Sequence, residues 1–249
     1  MMKHIIDAIG IEPYYTELDG SGVIYCADCM DILPKIPEKS IDLVLTDPPY
    51  GLNYQSNRGA ATGNLKDKIE NDKIEDWLEL AQKLFSLLEI ISAIDSEWYV
   101  FCGGGGGEPV LAHLWLLLNK LKIAKVKNLL IWDKMYPGMG WDWRFQYETI
   151  FQLQIGRGLN NNMDGSNRVN ILKCRNIIPQ AGEHPTEKPV NLIKQLAIPK
   201  LSNLILDPFL GSGTTAVAAK QLGRKYIGIE MTEKYCEITV QRLAQGILI

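Results

Sequence analysis

The tetrapeptide Asp47-Pro48-Pro49-Tyr50 brings together a carboxylate, a stiff turn and an aromatic ring. Two consecutive prolines fix two φ angles and remove two backbone donors, so the turn is extended and its carbonyl groups face outward without an internal partner. The preceding residues, 41–46 (IDLVLT), are rich in β-branched side chains and indicate a strand. Because ligands in open α/β sheets bind beyond the carboxyl ends of the strands, this position favours a binding site over an ordinary proline-stiffened turn.

These groups suit chemistry at an NH2 group on a heteroaromatic base. The lone pair of such an amine is delocalised into the ring, so the nitrogen is a poor nucleophile. The carboxylate of Asp47 and the carbonyl group of Pro48 can accept hydrogen bonds from both N–H groups, which favours a tetrahedral nitrogen and frees its lone pair. Stacking on Tyr50 would contribute about 1–3 kcal/mol per base, which offsets part of the cost of flipping a base out of a duplex.

A second motif spans residues 207–215 (DPFLGSGTT), between a predicted strand and a predicted helix. Gly211 and Gly213 allow a tight turn and a close approach of the backbone to a ligand. The third glycine position of a dinucleotide fingerprint holds Ala216, which is an accepted substitute, and no Gly-Lys-Ser/Thr follows that would make a phosphate-binding loop. Glu230 ends the next predicted strand, where an acid can accept hydrogen bonds from ribose hydroxyls. The segment therefore predicts a nucleoside-binding half.

Alternating short apolar runs and helical stretches predict a mostly parallel sheet that is covered on both faces. Apolar residues recur at three- and four-residue spacing along the longest helical stretch, so one of its faces packs inward. The seven predicted strands are 23–26, 41–46, 98–102, 127–133, 148–155, 203–207 and 225–230, and the predicted helices are 72–94, 108–121, 189–201, 214–222 and 233–243.

The composition predicts one α/β domain over residues 1–249, in which the polar segment 157–182 is a short target-recognition insertion. A net charge of −3 argues against non-specific coating of nucleic acid, although a local basic face is enough to contact phosphates. Cys26 and Cys29 form a C-x-x-C, but no second pair follows, and a buried Cys26 at a strand end with Cys29 in the loop after it is favoured over a metal or redox site. The chain lacks a long apolar span and a leader-like start, which predicts no membrane association and a cytoplasmic location.

The two motifs together resemble the amino-methyltransferases of DNA, and their order, with the Asp-Pro-Pro-Tyr segment first, resembles the β class. This class includes many restriction-modification and orphan methyltransferases. Residues 184–189 (HPTEKP) are similar to a segment that precedes the glycine loop in the family, and 131–134 followed by Glu148 is similar to its later strands. The resemblance implies a Rossmann-like, seven-stranded fold that depends on S-adenosylmethionine, with a circularly permuted motif order.

The resemblance also implies roles for individual residues. Asp47 would lie between the methyl group of the cofactor and the target amine, Glu230 would bind the ribose, and Asp28 would bind the adenine. No metal is needed, because a sulfonium is already an activated leaving group. Phe209 and Thr214 have a second interpretation, in which they only pack the start of the helix. The remaining cofactor-binding residues would be Asp207, Phe209, Gly211, Ser212, Gly213 and Thr214 from the glycine loop, with Thr186 and Lys188 at the methionine end.

The expected function is site-specific methylation of an exocyclic base amine in duplex DNA, at adenine N6 because aspartate opens the tetrapeptide in adenine enzymes of this family. Cytosine N4 is the alternative, and an RNA or protein methyltransferase and a non-catalytic DNA-binding scaffold are the rivals. A homodimer and a cognate restriction endonuclease are further candidate partners. The loop 51–72 is expected to close over the flipped base, and 157–182 to contact base edges. The glycine run 103–107 has two possible roles, a flexible turn or a space for the flipped base.

Overall fold

The computed structural model describes residues 2–49, 74–103, 110–138, 142–157, 168–175, 187–197 and 203–245. The predicted seven strands are all present, and two short strands are added at the edges of the sheet. The strands are β1 (Tyr15–Thr16), β2 (Gly22–Cys26), β3 (Ile41–Thr46), β4 (Ser92–Phe101), β5 (Lys125–Asp133), β6 (Tyr147–Gln154), β7 (Ile171–Lys173), β8 (Leu204–Asp207) and β9 (Lys225–Glu230). The helices are α1 (Met2–Ile9), α2 (Cys29–Ile32), α3 (Ile74–Ile91), α4 (Val110–Leu121), α5 (Val190–Ala197), α6 (Thr214–Gln221) and α7 (Glu233–Ala244), with a 3-10 turn at Leu33–Lys35.

The strands form one sheet in the order β1-β2-β9-β8-β3-β4-β6-β5-β7. Strands β2, β9, β8, β3 and β4 are mutually parallel, and β6 runs antiparallel to both β4 and β5. From β8 the chain continues to β9 on one side, and from β3 it continues to β4 on the other. The order of the strands therefore reverses between β8 and β3, which is the switch point where ligands bind in open α/β sheets.

Two hydrophobic cores cover the two faces of the sheet. One core packs α1, α3 and α4 against the sheet, with Trp77, Leu88 and Leu114 buried in it. The other packs α5, α6 and α7 on the opposite face, and Ala216 and Ala219 let α6 approach the strands closely. Burial on both faces explains why β3 and β8 consist almost entirely of buried residues. The expected α/β architecture is confirmed.

The boundary between α3 and β4 differs from the prediction. Helix α3 was expected to continue to residue 94, but it ends at Ile91 and β4 begins at Ser92, which pairs with Ile41. The apolar pattern continues across the boundary, so hydrophobic spacing could not reveal it. The helix ends there because the backbone N–H groups of Lys39 and Ser40 bind the carbonyl oxygens of Ile90 and Ile91.

The elements that the sequence did not predict are short. Helix α1 buries Met2, Ile5 and Ile9 at helical spacing, and α2 together with the 3-10 turn spans a few residues after β2. Part of the segment 157–182 is also regular, because β7 within it pairs in parallel with β5. Its other described residues are 157, 168–170, 174 and 175. None of the described helices is both long and apolar enough to cross a membrane.

Candidate active site

Asp47 lies at the switch point of the sheet. It directly follows β3, which pairs with β8 through Leu43 with Ile205 and Val44 with Leu206. Its side chain is about a third exposed, at 30%, whereas Pro48 behind it is buried. Pro49 is exposed, and Tyr50 lies outside the described residues. The acid of the first motif therefore stands beside Asp207, the residue that ends β8.

The glycine loop between β8 and α6 depends on two positive φ angles, 55° at Gly211 and 84° at Gly213. A Cβ atom at Gly213 would lie 2.3 Å from the side chain of Thr239 on α7, so no larger residue fits without movement. The hydroxyl of Thr239 also donates to the carbonyl oxygen of Gly211 at 3.2 Å. Glycine is thus required both by the backbone conformation and by the packing of α7.

Three acids stand at the carboxyl ends of three adjacent strands: Asp28 after β2, Glu230 at the end of β9 and Asp207 at the end of β8. The carboxylate of Glu230 accepts hydrogen bonds from the backbone N–H groups of Gly211 at 2.9 Å and Thr232 at 2.8 Å. Asp28 caps α2 by accepting from the N–H group of Met30 at 2.9 Å, and it remains exposed. The backbone thus fixes the orientation of Glu230 and Asp28 before any ligand binds.

Asp207 is buried, with only 6% of the residue exposed. Burial raises the pKa of its carboxyl group to about 7, although the hydroxyl of Thr215 and the N–H group of Phe209 donate to it at 2.6 and 3.1 Å. Asp47 and Glu230 add to the rise through charge repulsion. A buried acid under this repulsion is matched to a cationic group, because a cation would restore its ionised form.

Ser212 and Thr214 use their hydroxyl groups inside the protein. The hydroxyl of Ser212 donates to Glu187 at 3.0 Å, and Glu187 also pairs with Arg242 of α7 at 2.9 Å. Arg242 donates to the carbonyl oxygen of Ser212 at 2.6 Å and to the hydroxyl of Thr214 at 3.3 Å. These contacts tie the glycine loop to α7 and to the residues before α5. We call residues 207–214 with Glu230 the glycine-loop side.

A second group of charged residues surrounds Asp47. The Nζ atom of Lys188 lies 2.6 Å from Oδ2 of Asp47 and 3.3 Å from Oε2 of Glu148, and Lys134 lies 2.6 Å from Oε1 of Glu148. The ammonium of Lys188 also lies 5.1 Å from the ring centre of Phe101. Asp47, Lys188, Glu148 and Lys134 are called the Asp47 cluster below. Its members come from the ends of β3, β5 and β6 and from the segment before α5.

Charges in the Asp47 cluster stabilise one another despite their burial. Burial opposes the charge of Lys188, whose side chain is 13% exposed, but Asp47 and Glu148 outweigh this and raise its pKa above the ordinary value. Burial likewise opposes the charge of Glu148, but Lys188 and Lys134 hold its pKa below the ordinary value. The cluster therefore favours the charged forms of both Lys188 and Glu148 at neutral pH.

Sequence reasoning placed Lys188 at the cofactor, whereas the structure brings it onto Asp47. It did not identify Glu148, Lys134 or Arg242 as members of a site. One available signal was the acid at position 148, which is the one charged residue of β6, a strand whose middle is buried, and so indicates a charge that needs a partner. His184 and Thr186 lie outside the described residues, as do the whole loop 51–72 and the glycines 104–107.

The cysteines form no bonded or metal-binding group among the residues that the structure describes. All five are free thiols, and no set of three His, Cys, Asp or Glu side chains in the described part of the chain is arranged to hold a metal ion. Cys26 was expected to be the buried residue of the C-x-x-C, but it is only partly buried, whereas Cys29 is buried and burial raises its thiol pKa to about 12. The C-x-x-C thus has the character of a structural pair rather than a reactive one.

The donor set on the glycine-loop side fits S-adenosylmethionine. Glu230 and Asp28 are oriented acceptors for the hydroxyl and amine donors of a nucleoside, and the buried Asp207 is matched to the positive charge of an amino-acid ammonium. The acids stand in the order Asp28, Glu230 and Asp207 along the ends of three neighbouring strands, which suits one extended ligand. The structure gives no reason to expect a metal at this position within the described residues.

Comparison with known proteins identifies the family. A family model described as DNA methylase, covering N6 and N4 enzymes, matches residues 41–241. The chain is 30% identical over 220 residues to the YubD protein of Escherichia coli (strain K12), covering 87% of this chain and 88% of that one. It is 28% identical over 264 residues to the type II methyltransferase M2.LlaDCHI of Lactococcus lactis subsp. cremoris, covering 94% and 93%.

Solved structures share the fold at lower identity. The cytosine-N4-specific PvuII DNA methyltransferase superposes with a TM-score of 0.73 at 18% identity, covering 94% of this chain and 89% of that one. The complex of M1.HpyAVI with S-adenosylmethionine gives a TM-score of 0.63 at 21% identity, covering 88% and 98%. The strand order, the acids at the strand ends and the family match agree, and this chain belongs to the β class of the S-adenosylmethionine-dependent DNA amino-methyltransferases.

Proposed function

We propose that this protein transfers a methyl group from S-adenosylmethionine to N6 of adenine within a specific sequence of duplex DNA. The observation that carries the proposal is the position of Asp47, which follows β3 at the switch point and stands beside the buried Asp207 at the end of β8. A group that binds the target amine and a pocket for the methyl donor are thereby neighbours at one edge of the sheet. M2.LlaDCHI, M2.DpnII and M2.MboI are named type II methyltransferases and the PvuII enzyme is named a DNA methyltransferase, which supports DNA as the substrate.

The glycine-loop side would hold the cofactor. Glu230 would accept from the ribose hydroxyls, Asp28 from the adenine amine, and Asp207 would face the methionine end. Phe209, Gly211 and Gly213 would shape the pocket between them, while the hydroxyls of Ser212 and Thr214 hold the loop on α7. Once bound, S-adenosylmethionine supplies an electrophilic methyl group on a sulfonium, so no metal or cofactor besides it is required.

Asp47 and the carbonyl group of Pro48 would accept hydrogen bonds from the two N–H groups of the target amine. This arrangement directs the nitrogen lone pair away from the ring and toward the methyl group. Asp47 need not remove a proton before attack, because the nitrogen becomes strongly acidic only after it carries four bonds. The ring of Tyr50 would stack on the flipped base and replace part of the stacking lost from the duplex.

The choice of adenine rests on the aspartate that opens the tetrapeptide, and cytosine N4 is the alternative. The fold does not choose between them, because the PvuII structure is that of a cytosine-N4 enzyme. The deciding experiment incubates the protein with labelled S-adenosylmethionine and duplex DNA, RNA or protein, and then analyses the digested nucleosides by mass spectrometry. We expect N6-methyladenine from DNA. N4-methylcytosine would establish the alternative, and label in RNA or protein alone would contradict the proposal.

Substitution of Asp47 tests its assigned role. Asp47→Ala should lower the single-turnover rate of methylation by roughly 10²–10³-fold or more, because an oriented acceptor for the reacting group is lost. The affinity for S-adenosylmethionine, measured by isothermal titration, should stay close to that of the wild type. Asp47→Asn is the matched control, since its side-chain oxygen still accepts one hydrogen bond and residual activity is expected. Full activity of Asp47→Ala would exclude the role.

A scaffold that binds DNA without catalysis is the remaining rival, and isothermal titration with and without duplex DNA addresses it. The proposal expects S-adenosylmethionine to bind the protein alone and the label to appear in DNA. Cofactor binding without any transfer would favour the scaffold. The homodimer and the cognate endonuclease stay predictions from the family resemblance, as does sequence recognition by residues 157–182.

A further inference from the structure

Glu148 is linked through Lys188 to Asp47, the acid that would bind the target amine. Its carboxylate contacts Lys188, and Lys188 contacts Asp47. We propose that Glu148 is a positioning residue, which holds Lys188 between the two carboxylates and receives the ammonium when the target amine occupies Asp47. This inference rests on the proposed function, because it concerns the same acceptor site.

The charges of the Asp47 cluster alternate and sum to zero. The order is Asp47, Lys188, Glu148 and Lys134, with successive N–O distances of 2.6, 3.3 and 2.6 Å. Two of the described carboxylates therefore share the Lys188 ammonium, and the closer of the two is Asp47. Lys188 donates to Oδ2 of Asp47, so an N–H group of the base that binds this same oxygen competes with the ammonium. A strong partner behind Lys188 lowers the free-energy cost of this exchange.

Glu148 has the capacity to be that partner. Its Oε2 atom is buried and finds no hydrogen bond of good geometry among the described residues, although Lys188 lies only 3.3 Å away. A displacement of about half an ångström would bring the two atoms to the distance of a charge-assisted hydrogen bond, about 2.7–2.9 Å. The other oxygen, Oε1, is already fixed by Lys134 at 2.6 Å. One side of Glu148 is thus anchored and the other is available to the moving ammonium.

The surroundings restrict the direction in which Lys188 can move. Glu148 stands on β6, where it pairs with Trp132 of β5, so its backbone cannot shift freely. The ring centre of Phe101 lies 5.1 Å from the Lys188 ammonium, and the face of the ring attracts this cation. Pro189 follows directly and accepts backbone hydrogen bonds from the first turn of α5, which fixes the main chain beside Lys188. The side chain can therefore change partners while its backbone stays in place.

Glu148→Gln tests the proposal, because glutamine keeps the shape of glutamate and removes its charge. Lys188 would then stay on Asp47, and the chemical step should slow by about 100-fold, as expected when a catalytic geometry is misplaced. The KM values for DNA and S-adenosylmethionine and the titrated affinity for the cofactor should remain near those of the wild type. Glu148→Asp should restore part of kcat. A kcat for Glu148→Gln equal to that of the wild type would overturn the proposal.

Glu97→Gln is the matched control. Glu97 is also a buried glutamate that pairs with a lysine, Lys127 at 3.1 Å, but it stands on β4 outside the Asp47 cluster. Its substitution should cost stability without a selective loss in kcat. If both glutamine variants lose kcat equally, the effect of Glu148 is merely structural and the proposal fails.

A double-mutant cycle shows whether Glu148 acts through Lys188. When Lys188 is replaced by methionine, adding Glu148→Gln should cause no further loss in the single-turnover rate. Independent, multiplicative losses would contradict the proposed path. A large loss of S-adenosylmethionine affinity in Lys188→Met would instead place Lys188 at the cofactor. If the wild-type protein leaves DNA unmethylated, the proposed function itself is wrong, and this outcome is distinct from a failure of the inference about Glu148.

Discussion

The glycine-loop side and the Asp47 cluster meet at the same switch point but are built differently. On the glycine-loop side, acids are oriented by backbone N–H groups, as Glu230 is by Gly211 and Thr232. In the Asp47 cluster, charged side chains orient one another, and one of the two contacts at 2.6 Å joins residues 141 positions apart. The first region is fixed mainly by the local path of the chain. The second exists only after distant elements have assembled, and it depends on every one of its charges.

This difference suits the two proposed tasks. A cofactor that binds in each cycle with the same shape is served by carboxylates that backbone N–H groups already hold in place, because little side-chain entropy is then lost on binding. A target amine that binds Oδ2 of Asp47 displaces an existing partner, and side-chain ion pairs can exchange partners. The two regions should therefore respond to substitution in different ways.

The largest effect is expected from Lys188→Met, which leaves Glu148 without one of its two cations and removes the ion pair between Lys188 and Asp47. Breaking a buried ion pair from one side costs about 3–5 kcal/mol in the free energy of unfolding. Urea denaturation measures this loss. Lys83→Met is the control, because Lys83 and Glu79 form an exposed pair whose loss should cost less than about 1 kcal/mol. Equal losses in both variants would remove the contrast between the cluster and ordinary surface pairs.

A second, smaller effect is expected on the glycine-loop side. Gly213→Ala should lower the free energy of unfolding by about 2–4 kcal/mol, because it combines a left-handed backbone with a collision against Thr239. Gly223→Ala has a similar φ of 63° and open space around the added Cβ atom, so it should cost only about 1–2 kcal/mol. Calorimetry and titration with S-adenosylmethionine distinguish the two variants. Tight cofactor binding by Gly213→Ala would show that the loop tolerates distortion.

The third expected effect, spread over several pH units, is a dependence of stability on pH through Asp207. Its folded-state pKa is raised to about 7 from an ordinary value of 3.8, so the folded protein binds the proton more tightly than the unfolded chain. Stability is then highest below about pH 4 for this group and falls as pH rises toward 7, by at most about 1.4 kcal/mol per pH unit. Asp207→Asn should remove this part of the slope. Unfolding free energies of both proteins at pH 5 and pH 7 measure it, and identical slopes would show that Asp207 is ionised throughout.

The features that the sequence predicted are those with local signatures. The seven main strands are short runs of β-branched and apolar residues, and the glycine loop with its flanking acids is a contiguous pattern, so both were identified. The start of β4 was not identified from the sequence, because the apolar spacing of α3 continues through residue 94. The ion pairs of Lys188 were not identified either, because no local pattern connects position 188 with positions 47 and 148. Only the acid within β6 indicated that a distant cation would be needed.

Helix α7 contains none of the residues that would touch a substrate, yet two of its side chains close around the glycine loop. Thr239 fills the space against Gly213, and Arg242 binds the carbonyl oxygen of Ser212. A gene truncated after Glu230 would still encode every described motif residue of the cofactor pocket. The glycine loop would nevertheless lose its contacts with Thr239 and Arg242 of α7. The presence of both motifs is therefore not enough to judge a shortened form of this protein, because Thr239 and Arg242 support the cofactor pocket from outside those motifs.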